Sequence, residues 1–293
     1  KRPAAGSNSF GSDRGCQRRG ARMPGKRPAA ATGASSKKVA KEAMTSLPGA
    51  PRRPKLPEGF VVVPCFVSAD EEKRLLEEIE SVPALNKGHL RFSNTAQREF
   101  GPIVSDKMEV LAKEPPRPLP PGCRALGARV AEEAVRLKIP GAKDLVVALT
   151  AQPSHPAAGA CFLRANSYPA GGGYMHKHMD SKRCFGDVVA CCSLLADTKL
   201  NFYDTQGNSY GLAKVHRVAE VHVPRRSLYF MAGPSRTKWQ HGIKKEHSFM
   251  PRCSLTFRSV RADAPRVSTK LSAGGALEPS DVGAGVRKRA RKA

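Results

Sequence analysis

The second half of the chain is divided into short apolar segments, and this pattern limits the fold more than any other feature. Six segments between residues 160 and 260 have the composition of strands and are bounded by turn residues. They are ACFLRANSY, DVVACCSLLA, KLNFYD, AKVHRVAEVHV, RSLYFMAG and RCSLTFRSV. No helical pattern alternates with them, so a parallel sheet with crossover helices is not expected. We predict an α+β protein, mainly β, with a double-stranded β-helix (jelly-roll) core.

Two helices are predicted ahead of these strands, where they would support the sheet. GFVVVPCFVSADEEKRLLEEIE (59–80) predicts a strand and then a helix capped by Ser68, with Glu71 three residues further on. The buried face of this helix is predicted at its apolar positions, Leu75, Leu76 and Ile79. RALGARVAEEAVRL (124–137) predicts a second amphipathic helix.

Positive charge is concentrated at the two ends of the chain. The formal net charge is +25, and residues 1–56 carry 14 basic and 2 acidic groups while residues 264–293 carry 7 and 2. Both ends hold too little apolar surface to offset the entropy lost on ordering. We therefore predict a disordered basic tail at 1–56, one folded domain at 57–262 and a second disordered basic tail at 263–293.

The basic ends also bear on localisation and partners. KRPAAATGASSKK resembles a bipartite nuclear import signal, so we expect the nucleus, the cytoplasm or both, with an organelle transit segment as the alternative. Basic runs also contact phosphate backbones, although a solvated tail without function is an equal alternative. No apolar run is long enough to cross a bilayer, so we expect no membrane partner, and we expect a monomer. The eight cysteines form no CxxC pair, which argues against a zinc framework.

One stretch, YMHKHMDSKR (174–183), carries two histidines and an aspartate at alternate positions. His176, His178 and Asp180 would share one face of an extended strand. Two histidines and one carboxylate on one face are the protein ligands of non-haem Fe(II) oxygenases, which leave the other coordination positions open. The stretch alone does not decide which histidine binds the metal.

Later segments supply a second histidine and two arginines. His241 follows an apolar segment, in WQHGI, and Arg252 and Arg258 stand six residues apart in RCSLTFR. An even spacing places both arginines on one face of a strand. Such a pair suits a dicarboxylate co-substrate such as 2-oxoglutarate, because a guanidinium binds carboxylate through two hydrogen bonds. The His-x-Asp order then selects His178 with Asp180 as the metal-binding pair.

The combination HMD…H…RCSLTFR, preceded by NSYPAGGG, resembles the AlkB family of Fe(II)- and 2-oxoglutarate-dependent dioxygenases over residues 57–262. The resemblance implies a catalytic Fe(II) site, held by His178, Asp180 and His241. It also implies binding of the co-substrate 2-oxoglutarate, by Arg252 and Arg258 with help from Asn166 and Tyr168. The interval from Tyr168 to His178 is one residue longer than is usual in the family.

The resemblance implies a type of chemistry and leaves the substrate open. Family members use O2 and 2-oxoglutarate to hydroxylate a C–H bond, and a hydroxylated N-methyl group is then lost as formaldehyde. Some act on bases in DNA or RNA, some on a tRNA nucleoside and some on protein. We expect hydroxylation or demethylation of a modified base in nucleic acid, with RNA, including tRNA, favoured over DNA. Repair of alkylated DNA and a protein-directed oxygenase are the alternatives.

Two local features favour a nucleic-acid substrate. NKGHLRFSNTAQREFG (86–101) mixes cations with Phe92 and Phe100 and predicts a lid whose rings stack on an extruded base. Lys182 stands two residues after Asp180, where the base-repair members of the family have an acidic residue. A cation there would repel a positively charged alkylated base and favour a neutral or acidic one. The alternative is a lysine that simply turns to solvent.

Overall fold

The structure is a computed structural model that describes residues 56–85, 93–151, 159–204, 217–247 and 249–268. The predicted import or transit segment and nearly all of both predicted tails lie outside the described residues. So does the first half of the predicted lid, including Phe92. These interpretations stay predictions.

The described residues form thirteen strands and four helices. The strands are β1 (Phe60–Val63), β2 (Ser93–Asn94), β3 (Ala96–Phe100), β4 (Val110–Leu111), β5 (Cys161–Tyr168), β6 (Tyr174–His178), β7 (Phe185–Leu194), β8 (Thr198–Asp204), β9 (Arg217–Val223), β10 (Ser227–Met231), β11 (Trp239–Ile243), β12 (Arg252–Val260) and β13 (Arg266–Val267). The helices are α1 (Ala69–Glu80), α2 (Pro121–Arg136), α3 (Lys143–Thr150) and α4 (Gly233–Thr237), and a 3-10 turn spans Lys245–His247. Each of the six segments predicted as strands contains one, whereas α3 was not predicted.

Most strands lie in two antiparallel sheets. The first sheet has the order β1-β10-β7-β12-β5-β3 and the second the order β2-β6-β11-β8-β9. From β5 to β12 the chain passes back and forth between them, with β5, β7, β10 and β12 in the first sheet and β6, β8, β9 and β11 in the second. Two antiparallel sheets linked in this way form a jelly-roll, here with unjoined edges. The predicted fold class is confirmed.

The first sheet is buried on both faces, which explains why its strands are almost continuously apolar. One face packs on α1, α2 and α3, with fully buried side chains that include Leu75, Ile79, Leu126, Leu145 and Phe257. The other face packs on the second sheet through a cluster that includes Val189, Cys191, Phe202, Tyr229 and Trp239. The helices therefore support the first sheet and leave the space between the sheets available for a site.

Helix α1 begins and packs as predicted. The Ser68 hydroxyl accepts a hydrogen bond from the Glu71 amide at 3.1 Å, which satisfies one of the free N–H groups of the first turn. Leu75 and Ile79 are fully buried, and Leu76 packs partly buried beside them.

Phe100 does not belong to a lid. It ends β3, pairs with Leu163 of β5 and is buried in the cluster between the first sheet and the helices. The prediction that this ring stacks on a base is wrong, because β3 is the edge strand of the first sheet and its terminal aromatic is needed in the core.

Folded structure continues beyond residue 262, where the sequence placed the end of the domain. β13 pairs in parallel with β4, and the Val110 amide donates to the Pro265 carbonyl at 2.7 Å. Two-residue strands such as these carry no alternation that the sequence could reveal. Among the described helices, none combines the length and the apolar character needed to cross a membrane.

Candidate metal and co-substrate site

The register between β6 and β11 decides which histidine of β6 faces His241. His178 lies opposite His241, and Met175 lies opposite Ile243. Two residues of β6 therefore occupy the interval that one residue, Gly242, occupies on β11. This is a β-bulge, which inserts an extra residue and re-aims the side chains that follow it.

Gly242 makes the bulge possible because the backbone of β6 approaches it closely. A Cβ at Gly242 would lie 2.7 Å from the Met175 carbonyl oxygen and 2.9 Å from the Lys177 amide nitrogen. The bulge leaves His176 exposed, with its ring edge-on to Tyr174 at 4.9 Å between centroids. The expectation that His176 shares a face with His178 is wrong, because the extra residue breaks the alternation.

His178 and His241 meet at the end of β6. Their ring centroids are 4.4 Å apart. Nδ1 of His178 lies 2.9 Å from the His176 carbonyl oxygen, and in the tautomer that donates this hydrogen bond Nε2 keeps its lone pair. Burial lowers the pKa of both histidines, that of His241 to about 3. Both rings are therefore neutral at physiological pH, as metal ligation requires.

Asp180 follows β6 and is buried as an ionised carboxylate. Its Oδ1 accepts a hydrogen bond from Nη2 of Arg258 at 2.8 Å. Burial raises the pKa of this carboxyl, but the Arg258 guanidinium, acting together with His241, His178 and Arg236, outweighs burial, and the pKa lies well below its usual range. Its Oδ2 has no hydrogen-bond partner among the described residues. A buried carboxylate oxygen without a partner is costly, and a bound cation would satisfy it.

Arg236 holds the backbone that carries Asp180, a role that no pattern in the sequence indicates. It lies in α4, is 2% exposed, and donates from Nη1 to the Asp180 carbonyl at 2.9 Å and from Nη2 to the Ser181 carbonyl at 3.3 Å. A single arginine in a five-residue helix has no periodic pattern that could have identified it.

Arg252 is brought to the same side of the first sheet as two other predicted residues. β12 pairs with β5 so that Arg252 lies opposite Tyr168 and Ser254 opposite Asn166. Nε of Arg252 donates to the Ser193 hydroxyl at 3.0 Å, and its guanidinium carbon lies 5.0 Å from the centroid of the Tyr168 ring.

Several polar atoms of these buried residues have no partner in the described part of the chain. They are Nη1 of Arg252, Nε and Nη1 of Arg258, and Oδ1 of Asn166. Buried guanidinium donors are normally satisfied, and a carboxylate is the group whose geometry they match. The arrangement fits a co-substrate with carboxylates, as 2-oxoglutarate has.

The metal site is not pre-assembled. No group of three or more His, Cys, Asp and Glu side chains in the described part of the chain is already spaced to hold a metal ion. The chain brings together two neutral histidines and one ionised carboxylate with a partnerless oxygen, and that donor set suits Fe(II). Metal binding by His178, Asp180 and His241 stays a prediction.

A pocket of about 520 Å³ lies beside His178 and Asp180. Four cationic side chains line it, namely Lys107, Arg164, Lys182 and Arg183. Arg164 is committed to an ion pair with Glu99 at 2.6 Å. Lys182 is exposed, and its Nζ donates to the Thr237 carbonyl at 2.7 Å. The lysine is therefore anchored at the rim of the pocket, although it remains in contact with solvent.

Comparison with known proteins finds similar sequences and similar folds. A scan against protein-family models finds no match. Among curated proteins, the chain is 26% identical over 194 residues to "tRNA (carboxymethyluridine(34)-5-O)-methyltransferase ALKBH8" of Mus musculus, which covers 64% of this chain and 24% of that protein. The protein of the same name from Xenopus tropicalis is 26% identical over 190 residues, covering 65% and 26%. The domain therefore resembles AlkB-family proteins.

The AlkB-like chain spans only about a quarter of the length of these ALKBH8 proteins, 24% in the mouse case. The activity in their name is therefore that of a whole protein, of which only about a quarter matches this chain. This chain is also 24% identical over 220 residues to "Uncharacterized protein L905" of Acanthamoeba polyphaga mimivirus, and the match covers 71% of this chain and 88% of that protein.

Two solved structures are similar at a low level. "The structure of OsALKBH1" has a TM-score of 0.45 at 14% identity and covers 69% of this chain and 97% of that one. The Pseudomonas putida prolyl-4-hydroxylase has a TM-score of 0.41 at 15% identity, covering 69% and 92%. The jelly-roll fold follows from the sheet topology, and the resemblance to AlkB-family proteins follows from the sequence relatives.

The bulge generates a prediction at Gly242. Gly242→Ala places a methyl group against the backbone of β6, so β6 must move and the approach of His178 to His241 is lost. We expect the affinity for Fe(II), titrated without oxygen, to fall about ten-fold or more, as when groups that orient metal ligands are lost. Gly172→Ala is the control, because its Cβ would meet only Nδ2 of Asn94 at 3.4 Å. Equal Fe(II) affinity in both folded variants would contradict the role of the bulge.

Proposed function

We propose that the AlkB-like domain is an Fe(II)- and 2-oxoglutarate-dependent dioxygenase that hydroxylates or demethylates a modified base in RNA. The observation that carries the proposal is one buried region in which metal-type ligands meet partnerless arginine donors. The rings of His178 and His241 meet there, Asp180 is ionised, and Arg258 donates to Asp180 while two of its nitrogens have no partner among the described residues. A structural role alone would leave those donors uncompensated.

Different residues of the chain would have different roles in such a reaction. His178, Asp180 and His241 would hold Fe(II), while Arg252 and Arg258 would fix the two carboxylates of 2-oxoglutarate, with Asn166 and Tyr168 alongside. When bound, iron together with O2 and 2-oxoglutarate supplies the oxidising power to place a hydroxyl on a substrate C–H bond. The protein contributes position and an environment that largely excludes water, since all of these side chains except the half-buried His178 are buried.

The pocket beside the site supports a substrate that is not positively charged. Among the described residues, Lys107, Lys182 and Arg183 line it without a close ion pair such as Arg164 has with Glu99, and its cationic lining residues outnumber the acidic ones, Asp106 and Asp180. A positively charged base such as 1-methyladenine or 3-methylcytosine would be repelled there, whereas a neutral or acidic base, such as a substituted uridine, would be accepted. The tRNA named for the ALKBH8 relatives supports RNA over DNA as the polymer.

The two arginines generate the first prediction of the proposal. Arg252→Lys and Arg258→Lys keep the charge but lose the bidentate guanidinium, so the Kd for 2-oxoglutarate should rise about ten-fold or more in each. Only Arg258→Lys should also weaken Fe(II) binding, because Arg258 contacts Asp180 while Arg252 contacts Ser193. Calorimetric titration of each ligand measures both effects.

Arg261→Lys is the matched control for these variants. Arg261 follows β12 and pairs with Asp263 at the surface, so its replacement should leave both affinities unchanged. Unchanged 2-oxoglutarate affinity in Arg252→Lys and Arg258→Lys would contradict the co-substrate site.

The substrate is tested by mass spectrometry of nucleosides after incubation with Fe(II) and 2-oxoglutarate. RNA with a substituted uridine should be oxidised faster than RNA or DNA with 3-methylcytosine. Lys182→Asp should shift the ratio of the two rates toward 3-methylcytosine by roughly five-fold, a modest factor because Lys182 is exposed. Lys73→Asp, on α1, makes the same charge change as a control.

Three outcomes would count against the proposed substrate. Wild-type demethylation of 3-methylcytosine as fast as in Lys182→Asp would refute the charge argument. Faster oxidation of DNA than of RNA would favour DNA repair. Succinate formation stimulated only by a protein fraction, and insensitive to nuclease, would favour a protein-directed oxygenase.

A further inference from the structure

A second surface that combines cations and aromatic rings lies on β6, outside the pocket beside Asp180. A cavity of about 620 Å³ is lined there by side chains of β6 and β8 and of the residues that follow β11. Its rings and cations are Tyr174, His176, Lys177, Tyr203, Lys244 and Lys245. We call these six residues the β6 platform. Nothing in the proposed oxidation of a base makes use of them.

The rings of the platform are accessible, and the bulge accounts for this at His176. His176 is exposed and Tyr174 and Tyr203 are partly exposed, whereas the inward rings of His178 and His241 belong to the site. Nζ of Lys177 lies 5.9 Å from the centroid of the Tyr203 ring. Exposed rings flanked by cations are the surface on which successive unpaired bases stack.

The charges of the platform favour an anionic partner. Lys177, Lys244 and Lys245 line the cavity, and Glu246 is the only acidic side chain among its lining residues. Lys244 and Glu246 are 3.7 Å apart and both well exposed, so their ion pair is weak and leaves the lysine able to bind phosphate.

We propose that the β6 platform binds single-stranded RNA and guides it toward the pocket beside His178. Rings that alternate with lysines match the two components of a nucleotide chain, bases and phosphates, whereas an acidic protein would need only the lysines. His178 lies four residues after Tyr174 on β6, which is about 13 Å of strand. A chain stacked on the platform therefore reaches the pocket within a few nucleotides. The choice of RNA over DNA rests on the proposed function.

The test measures the binding of a fluorescent oligouridylate of about 12 nucleotides to the full chain, with 2-oxoglutarate omitted. Tyr203→Ala should raise the Kd roughly ten-fold, because a stacking ring is lost, while Tyr203→Phe keeps the ring and should bind as the wild type does. Lys244→Gln should lower the slope of log Kd against log salt by about 0.7, the value for one phosphate contact on a single strand. Lys73→Gln removes one charge on α1 and should leave the slope unchanged.

The binding results test the β6 platform, and the turnover of 2-oxoglutarate tests the proposed enzyme activity separately. An unchanged Kd in Tyr203→Ala, an equal loss in Tyr203→Phe, or an unchanged slope in Lys244→Gln would overturn RNA docking at this surface. Equally tight and equally sensitive binding of the matching DNA would overturn RNA as its occupant. The turnover of 2-oxoglutarate without RNA should be the same in Tyr203→Ala and the wild type. A chain that binds RNA through the platform but turns over no 2-oxoglutarate would contradict the proposed function and leave the platform standing.

Discussion

The buried contact between Asp180 and Arg258 links the two sheets at the point where the site lies. Asp180 follows β6 of the second sheet, and Arg258 belongs to β12 of the first. Removing one partner of such a pair typically costs about 3–5 kcal/mol, because the other charge stays buried. The contact uses one carboxylate oxygen and one guanidinium nitrogen, so Oδ2 of Asp180 and two nitrogens of Arg258 have no partner among the described residues. In our proposal, the metal site and the co-substrate site both depend on this one ion pair.

The bulge in β6 gives that strand two separate roles. His178, after the extra residue, is directed at His241, and His176, within the bulge, is exposed beside Tyr174. One strand therefore presents a proposed metal ligand, His178, to the space between the sheets and the ring of His176 to the opposite surface. Gly242 permits this because no other residue could lie so close to the backbone of β6. In our account the reaction site and the RNA surface depend on the same local irregularity.

The sequence predicted the features that depend on local pattern. Alternation and turn residues located the strands of the jelly-roll, and the Ser68 cap located the start of α1. It missed what depends on contacts between distant segments: the bulge, which needs the pairing of β6 with β11, the backbone contacts of Arg236, and the burial of Phe100. Helix α3 was missed because it is short and its cap position, Ala142, offers no side-chain cap. The order of the site residues along the chain could be predicted from the sequence, but the residues that contact them could not.

The central claim is that His178, and not His176, binds Fe(II) together with Asp180 and His241. Anaerobic titration of Fe(II) into His178→Ala and His176→Ala tests it most directly, because both variants remove one imidazole from the same strand. The account predicts that His176→Ala binds Fe(II) and turns over 2-oxoglutarate as the wild type does, while His178→Ala loses both. Equal loss in the two variants, or normal Fe(II) binding in His178→Ala, would contradict it.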